Sequence, residues 1–265
     1  MTSTTAARAA VPGTSWRVAR PVLVLAFWVA VWQVAAVVVG QELLLASPAG
    51  VLERLAALGT TTAFWATVGH SLARIAAGFA AAAVVGVLGA ALAESSRVFD
   101  ALVTPLVAAI RSTPVVSFII LVLMWADSDQ LAVVISFMMV MPIFYTNVLE
   151  GIRHRDRSLL EVATVFDVPL LRRLGAIDVP AVLPFFIAAC KVGVGLAWKS
   201  GITAEVIGLP QGSLGERLYE AKILLSTADL FAWTVVIIAI SFAFEHLVLA
   251  LLRRLQRRLA AGRTP

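Results

Sequence analysis

The sequence predicts an all-α integral membrane protein with about six transmembrane helices. Of its 265 residues, 60% are hydrophobic and only 14% are charged, and the mean hydropathy of +0.94 is far above that of an ordinary soluble domain. The apolar residues form long runs, each near the ~20 residues that cross a hydrocarbon core of ~30 Å. Together these observations exclude a soluble protein.

Six apolar runs separated by polar links define the predicted spans. They cover residues 21–39, 67–93, 102–125, 131–149, 181–204 and 230–252. The first run follows basic residues, as a signal peptide does, but it is longer than the usual apolar region of a signal peptide and is expected to be retained. Residues 1–20 are rich in Ala, Thr and Ser and are expected to form a flexible cytoplasmic tail. Residues 253–265 are expected to form a basic cytoplasmic tail.

Two of the links carry signals for short helices. Ser47 can cap a helix whose first turn holds Pro48, so a short helix is expected in the link after the first span. The glycine-rich turn at 212–215 is followed by an amphipathic pattern at about 214–225, which predicts a second short helix.

Two of the spans have unusual composition. The Ala and Gly residues of 67–93 would let a neighbouring helix approach closely. The third span contains Pro105 and then the stretch 111–114, which reads Arg-Ser-Thr-Pro. Because proline removes a backbone donor and clashes with the preceding turn, this span is expected to be kinked or partly broken.

Basic residues lie mostly on one side of this topology. With the N-terminus inside, the cytoplasmic segments hold Arg8, Arg17, Arg20, Arg97, five arginines within 151–180 and the five of the tail, whereas the outer segments hold Arg54, Lys199, Arg217 and Lys222. The positive-inside rule therefore predicts that both termini and residues 151–180 are cytoplasmic. The net charge of +5 is explained by orientation and anionic lipid rather than by nucleic acid, because the arginines lie at the ends of apolar runs.

The polar segment 151–180 reads GIRHRDRSLLEVATVFDVPLLRRLGAIDVP. It resembles the "EAA" loop of ABC-importer membrane subunits, in which Glu-Ala-Ala, a later Gly and a final Ile-x-Leu-Pro recur at fixed spacing. The matching residues are Glu161, Ala163, Ile177 and Pro180, and the departures are Val162, Asp167 and Val179. Asp167 replaces the glycine of a tight bend, although Asp also tolerates turns. A short amphipathic helix lying on the lipid surface is the other interpretation of this segment.

The resemblance implies a type I ABC importer permease fold. Residues 67–252 would form the permease core, with five transmembrane helices and the coupling loop 151–180, and residues 21–66 would form the first transmembrane helix and an external segment. The implied location is the bacterial inner membrane. The implied partners are a second permease copy in a homodimer, cytoplasmic ATPase subunits that bind the ATP and Mg, and an extracytoplasmic binding protein. This chain would bind no cofactor and would not be an enzyme.

Within that resemblance, the coupling helix would dock on the ATPase. The expected coupling residues are Leu160, Glu161, Ala163, Thr164, Asp167, Ile177 and Pro180, with the small side chain of Ala163 allowing close approach. Glu161 could cap backbone donors or pair with a basic residue of the ATPase. Alternatively, Glu161 holds Arg157 within its own loop.

Four further segments are similar to the taurine, alkanesulfonate, nitrate and thiamine-precursor branch of the family. They are residues 70–79, 195–198, 204–207 and the turn at 212–215. This branch favours a small solute as cargo, with a bias to sulfonate, taurine or nitrate-like anions. A heterocyclic vitamin precursor is the alternative.

Charges inside the spans also bear on the cargo. Arg111 and Lys191 lie in apolar runs, where a charge costs ~2.5–3.5 kcal/mol or more unless it finds a partner, a watery cavity or the interface. They are candidate residues of a translocation path for anions, together with Trp198 and Glu205. The alternative is that both cations snorkel or fix helix packing, and that Glu205 pairs with Lys199.

Other classes of membrane protein lack support in the sequence. Residues 193–200 approach a phosphate-binding loop, but Trp198 replaces its second glycine and no strand precedes it, so nucleotide binding is not expected. Cys190 is the only cysteine and the three histidines lie far apart, so neither a metal site nor an enzyme or scaffold built on one is expected. An ion-coupled secondary transporter would need a carboxylate or histidine relay and an inverted repeat, and neither is found.

Overall fold

A computed structural model gives the fold of residues 14–261, without describing the side chains of residues 14–19, 255 and 258–261. The ends of the predicted tails, residues 1–13 and 262–265, lie outside the described residues. The described part of the chain is helical and contains no strand. Its helices are α1 (Thr14–Val39), α2 (Pro48–Gly59), α3 (Thr62–Ser95), α4 (Arg97–Ser112), α5 (Val115–Val122), α6 (Ser128–Arg153), α7 (Arg157–Val165), α8 (Leu170–Arg173), α9 (Val179–Gly208), α10 (Leu214–Ile223) and α11 (Thr227–Ala261), with a π-helical turn at Leu174–Asp178 between α8 and α9.

The predicted all-α membrane architecture is confirmed. Five helices are long and apolar enough to cross a membrane, and the bent pair α4 and α5 brings the number to six. Helix α1 begins at Thr14 and α11 continues to Ala261, so parts of both predicted tails are helical. We call the end of the bundle that carries residues 151–180 the loop end, and the opposite end the far end.

The third predicted span is broken, as its prolines suggested. Helices α4 and α5 meet at Thr113 and Pro114 with a bend of 104°. Pro105, in contrast, lies inside α4 without ending it. On α4, Val107 packs beside Leu149 of α6 at the loop end, whereas Ile119 of α5 packs against Leu131 at the far end of α6. The bent pair therefore extends from one end of α6 to the other.

The centre of the fold is the packing of α3, α6 and α9, which small residues bring close together. A Cβ atom on Gly78 would lie 2.5 Å from the carbonyl oxygen of Val133, and one on Gly86 would lie 2.5 Å from Cβ of Phe144. On α9, a Cβ on Gly201 would lie 2.6 Å from Ile75. Small residues thus allow the close approach that the composition of 67–93 predicted.

Both short helices predicted in the links are present at the far end. The Ser47 hydroxyl accepts a hydrogen bond from the Gly50 amide at 3.2 Å and caps α2, with Pro48 in its first turn. The Ser213 hydroxyl accepts from the Glu216 amide at 3.0 Å and caps α10. An ion pair between Arg54 and Asp229 links α2 to α11.

The helical segment that contains α9 is longer than the predicted span 181–204. Helical structure runs unbroken from Leu170 through the π turn to Gly208, over 39 residues. Pro180 and Pro184 both lie within it. The segment 151–180 is therefore partly a loop and partly an extension of the helix that contains the predicted span.

Helix α1 lies at the edge of the bundle. Its side chains from Arg20 onward are mostly exposed. Its clearest contacts come from Trp32, whose ring stacks on Phe231 at 5.4 Å between centroids and whose Nε1 donates to the Ala46 carbonyl at 3.0 Å. Helix α1 is thus attached mainly through one aromatic residue.

We expect Gly86→Val to destabilise the bundle by about 1–3 kcal/mol, because overpacking forces side chains and backbone apart. Thermal unfolding of the purified protein in detergent would measure this loss. Gly69→Val is the matched control on the same helix, since a Cβ at Gly69 meets nothing within 4 Å. Equal unfolding temperatures for the two variants would contradict the close packing of α3 on α6.

Candidate functional site

Helix α7 is a short helix with well-formed ends. At its start, the Asp156 carboxylate accepts a hydrogen bond from the Ser158 amide at 2.8 Å. At its end, Asp167 has φ +47°, and the amides of Asp167 and Val168 donate to the carbonyls of Thr164 and Ala163 at 3.2 and 2.9 Å. This pair of bonds is the Schellman arrangement that normally favours glycine.

Asp167 therefore keeps the bend that the family's glycine provides. Aspartate is among the few non-glycine residues that enter the left-handed region with modest cost. The geometry at this position, which the sequence left open, is a tight turn leading into α8.

The side chains of α7 do not all face where the docking hypothesis placed them. Glu161, Thr164 and Asp167 are exposed and Leu160 is half-buried. Ala163, in contrast, is only 5% exposed. The Ala163 side chain, whose small size was expected to allow a close approach of the ATPase, therefore packs toward its own chain in this structure.

The outward side of this segment is instead apolar. Large hydrophobic side chains are exposed along it, with Leu171 84% and Val165 77% exposed. The other members of this exposed apolar surface are Leu159, Val162, Phe166 and Leu170. The Thr164 hydroxyl donates to the Leu160 carbonyl at 2.9 Å and so is used within the helix. In the described part of the chain, Glu161 makes no ion pair with Arg157.

A buried carboxylate fixes this segment to the membrane helices. Asp178, 6% exposed, accepts from Nη1 of Arg155 at 2.5 Å and from Nε of Arg173 at 3.3 Å. Arg155 also donates to Glu94 at the end of α3, at 3.3 Å. We name Glu94, Arg155, Arg173 and Asp178 the loop-end ion network. It joins the residues on both sides of α7 to the ends of α3 and α9.

The ion network borders a cavity of about 520 Å³ between α3, α6 and α9. Apolar side chains such as Val87, Val148 and Phe186 form most of its wall. Ile177 and Pro180, the last two residues of the family pattern, are half-buried beside Asp178.

A second ion pair lies at the start of α4. Asp100 accepts from Nη2 of Arg153 at 2.7 Å and from the Tyr145 hydroxyl at 3.2 Å. Next to it, Arg111 lines a polar cavity of about 260 Å³ together with Thr104, Tyr145, Thr146, Glu150 and Arg153. Arg111 is thus exposed and lines a cavity in the single chain.

The other three path candidates lie elsewhere. Lys191 is exposed on the outside of α9, in a groove shared with Arg253 of α11. Trp198 is buried, with its ring 6.3 Å from that of Phe244, and Glu205 is completely buried. Trp198 and Glu205 are therefore packed inside the single chain.

Glu205 has a structural role that its sequence position did not reveal. Its carboxylate accepts from the Ser71 hydroxyl at 2.8 Å and from the Gly215 amide at 3.2 Å. Ser71 in turn accepts from the Leu214 amide at 2.9 Å. The carboxylate thus satisfies amides at the start of α10, where a negative charge is favourable. The expected pair with Lys199 does not form, and Lys199 is exposed.

Several of these residues were not singled out from the sequence. In the sequence, Asp178 occupies the variable position of the Ile-x-Leu-Pro pattern, and Glu94 directly follows the apolar run 67–93. Asp178 pairs with arginines that lie 5 and 23 residues earlier in the sequence. These spacings produce no periodic pattern of the kind that marks one face of a helix. The segment 151–180 holds five arginines and four acids, which indicates ion pairs but not which residues form them.

The fold and these sites define a multi-pass membrane protein with a structured polar loop at one end of its bundle. The family model for the binding-protein-dependent transport system inner membrane component matches residues 82–261, and the chain belongs to that family. It is a permease subunit of an ABC importer, a transport component of the inner membrane rather than an enzyme.

Three curated relatives match most of the chain. The putative aliphatic sulfonates transport permease protein SsuC of Bacillus subtilis (strain 168) is 26% identical over 187 residues, 70% of this chain and 67% of its own. The bicarbonate transport system permease protein CmpB of Synechococcus elongatus is 27% identical over 198 residues, 74% and 70% of the two chains. The nitrate import permease protein NrtB of Synechocystis sp. is 27% identical over 202 residues, 72% of each.

We expect Asp178→Asn to loosen residues 151–180. Removing one partner of a buried ion pair costs ~3–5 kcal/mol, and the partial exposure of both arginines lowers the expected loss of unfolding free energy to about 1–3 kcal/mol. Amide hydrogen exchange over the segment should rise. Glu220→Gln, which removes the exposed Arg217–Glu220 pair, is the control. Equal exchange in both variants would argue against the network as an anchor.

Proposed function

We propose that this permease imports a small anion and that residues 151–180 are the cytoplasmic surface on which a separate ATPase subunit docks. The observation that carries the proposal is the exposed apolar surface on a loop that the loop-end ion network, centred on the buried Asp178, holds to two membrane helices. Such a surface can bind a partner protein and transmit the partner's movement to the membrane helices. Family membership supplies the context, because the energy must come from another chain.

The proposed orientation places the loop end and both termini in the cytoplasm. Support comes from the basic residues, which concentrate at the loop end in residues 153–173 and at the end of α11. Fewer lie at the far end, where Arg54 and Arg74 are already paired with Asp229 and Asp129. The positive-inside rule favours this orientation.

A protein partner suits the outward side of α7 better than a lipid surface does. Exposed apolar side chains would be compatible with either, as would the arginines that flank them. Glu161, Asp156 and Asp167 are also exposed on this segment, and carboxylates are repelled by anionic lipid headgroups. A protein surface with basic residues could pair with the same carboxylates. We therefore favour docking on the ATPase.

The loop-end ion network gives the docking helix a route into the membrane. Displacement of α7 would pull on Arg155 before it and Arg173 after it, and both hold Asp178. Asp178 is continuous with α9, and Arg155 contacts Glu94 of α3. Movement of the loop would thus reach two of the three central helices together.

A closed path across the bilayer is proposed to need two copies of the chain facing each other. None of the cavities described above forms a continuous channel through the single chain. The cavity that Arg111 lines is open at the protein surface. A symmetric pair is the simplest arrangement that would close such a surface. Delivery of the cargo would fall to an extracytoplasmic binding protein at the far end.

We expect Leu171→Glu and Val165→Glu to weaken ATPase docking by about tenfold each, or ~1.4 kcal/mol, because a charge replaces an apolar contact. Copurification of the ATPase and solute uptake should fall together, while the amount of permease in the membrane stays unchanged. Leu224→Glu, an equally exposed position at the far end, is the control. Ala163→Arg is a poorer test, since Ala163 packs inside the loop.

Normal copurification in both loop variants would remove the docking role from this surface. Loss of permease from the membrane would instead indicate that the surface is needed for folding or lipid contact. Leu224→Glu separates these outcomes from a general effect of adding an acidic residue to the chain.

The proposed cargo is a small anion such as a sulfonate, nitrate or bicarbonate. The relatives are described as permeases for these three solutes, which share a negative charge and small size. Arg111 lines a cavity with the hydroxyl groups of Thr104, Tyr145 and Thr146, and with Arg153 and Glu150. Its guanidinium group could stabilise such an anion in surroundings of low dielectric constant. Lys191 is not included, because it lines a different groove, between α9 and α11.

We expect Arg111→Met to lower anion uptake by about tenfold, which corresponds to ~1.4 kcal/mol of lost stabilisation. Reconstituted complex would be assayed with labelled taurine, an alkanesulfonate, nitrate, bicarbonate and a pyrimidine vitamin precursor. Arg97→Met, on the same helix but outside the cavity, is the control. Unchanged anion uptake in a folded Arg111→Met variant, or uptake of the pyrimidine alone, would contradict the anionic cargo.

A further inference from the structure

A groove with two cations runs between α9 and α11. It has a volume of about 320 Å³ and is lined by Ile187 and Lys191 of α9 and by Leu249, Leu252, Arg253 and Gln256 of α11. The floor is aliphatic, and the polar residues are two cations and one amide. It is separate from the ion network, from the Arg111 cavity and from the docking surface.

The depth of this groove in the bilayer follows from helix contacts. On α9, Phe185 lies against Gly151 at the loop end of α6, and Gly193 lies against Val140 near the middle of α6. Lys191 falls between these two levels, in the half of the bundle toward the loop end. The flexible stem of a lysine at that depth can carry its ammonium group to the nearby interface.

The two cations of the groove are not neutralised by the protein. Within the described residues, Lys191 makes no hydrogen bond or ion pair, and Arg253 donates only to the Leu249 carbonyl, at 3.2 Å. The nearest acid on that side of α11 is Glu245, two turns toward the far end, and it forms no ion pair in the described chain. Charges at this depth normally require a partner.

We propose that this groove binds an anionic phospholipid. The phosphate would lie between Lys191, Arg253 and the Gln256 amide, and an acyl chain would lie along Ile187, Leu249 and Leu252. Ammonium and guanidinium groups are strong donors to phosphate oxygens, and basic pockets between membrane helices bind acidic lipid headgroups in this way. The neighbouring side chains Val192 and Leu251 are exposed, so the aliphatic floor continues into a surface suited to lipid tails.

The orientation proposed above determines only which leaflet of the bilayer supplies the lipid. The loop end would face the cytoplasmic leaflet. Binding itself requires neither the ATPase nor cargo, so its test is separate from the tests of transport.

The test is native mass spectrometry of the purified full-length chain in neutral detergent, titrated with phosphatidylglycerol or phosphatidylcholine. We expect the first phosphatidylglycerol to bind more tightly than phosphatidylcholine. Lys191→Gln and Arg253→Gln should each weaken its binding by about fivefold, the effect of one cation near an acidic headgroup. Arg254→Gln, a cation one residue away that does not line the groove, should leave binding unchanged. Unfolding temperatures would show that all variants are folded.

Several results would overturn the proposal. Equal affinity for the two lipids, equal affinity of wild type and the Lys191→Gln/Arg253→Gln double variant, or an equal loss in Arg254→Gln would each reject a specific site. Displacement of the lipid by inorganic phosphate at equal concentration would indicate a site for soluble anions. A change in the number of permease copies with unaltered lipid binding would indicate that a second copy covers the groove.

Discussion

The structure depends on the close contact of α3 with α6 and of α6 with α9. Inside a bilayer, apolar side chains gain nothing by leaving lipid for protein, so helices associate through tight packing and polar contacts. Gly78 and Gly86 provide such packing on α3, and Gly201 provides it on α9. Without a Cβ atom at these positions, the helix backbones approach closely enough for dispersion forces to hold them.

The polar clusters that join the short helices to this tightly packed centre lie at the two ends of the bundle. At the loop end, Asp178 forms ion pairs with Arg155, which precedes α7, and with Arg173, which follows it. Glu94 forms a further ion pair with Arg155. At the far end, Glu205 and Ser71 hold the start of α10 against the membrane helices. Each cluster joins a short helix to long ones, so the same rigid centre connects both sides of the membrane.

The sequence predicted what local chemistry determines. Apolar length indicated the spans, Ser47 and the glycine-rich turn at 212–215 marked helix starts, and Pro114 marked the broken third span. Contacts between residues far apart in the sequence could not be predicted in this way. Glu205 accepts a hydrogen bond from Ser71, which lies 134 residues earlier, whereas the short spacing of Glu205 from Lys199 had suggested a pair between those two residues. Ala163 was expected to face outward because its small size suits any close contact. The sequence alone could not tell an external surface from an internal one.

The unbroken helix from Leu170 to Gly208 has a mechanical consequence. At 1.5 Å per residue, its length of 39 residues corresponds to roughly 58 Å, about twice the thickness of the hydrocarbon core. Moving as one body, a helix of this length would act as a lever. With the pivot at the π turn, a tilt of only about ten degrees would carry its far-end tip through roughly 8 Å, enough to change the width of a passage at that end.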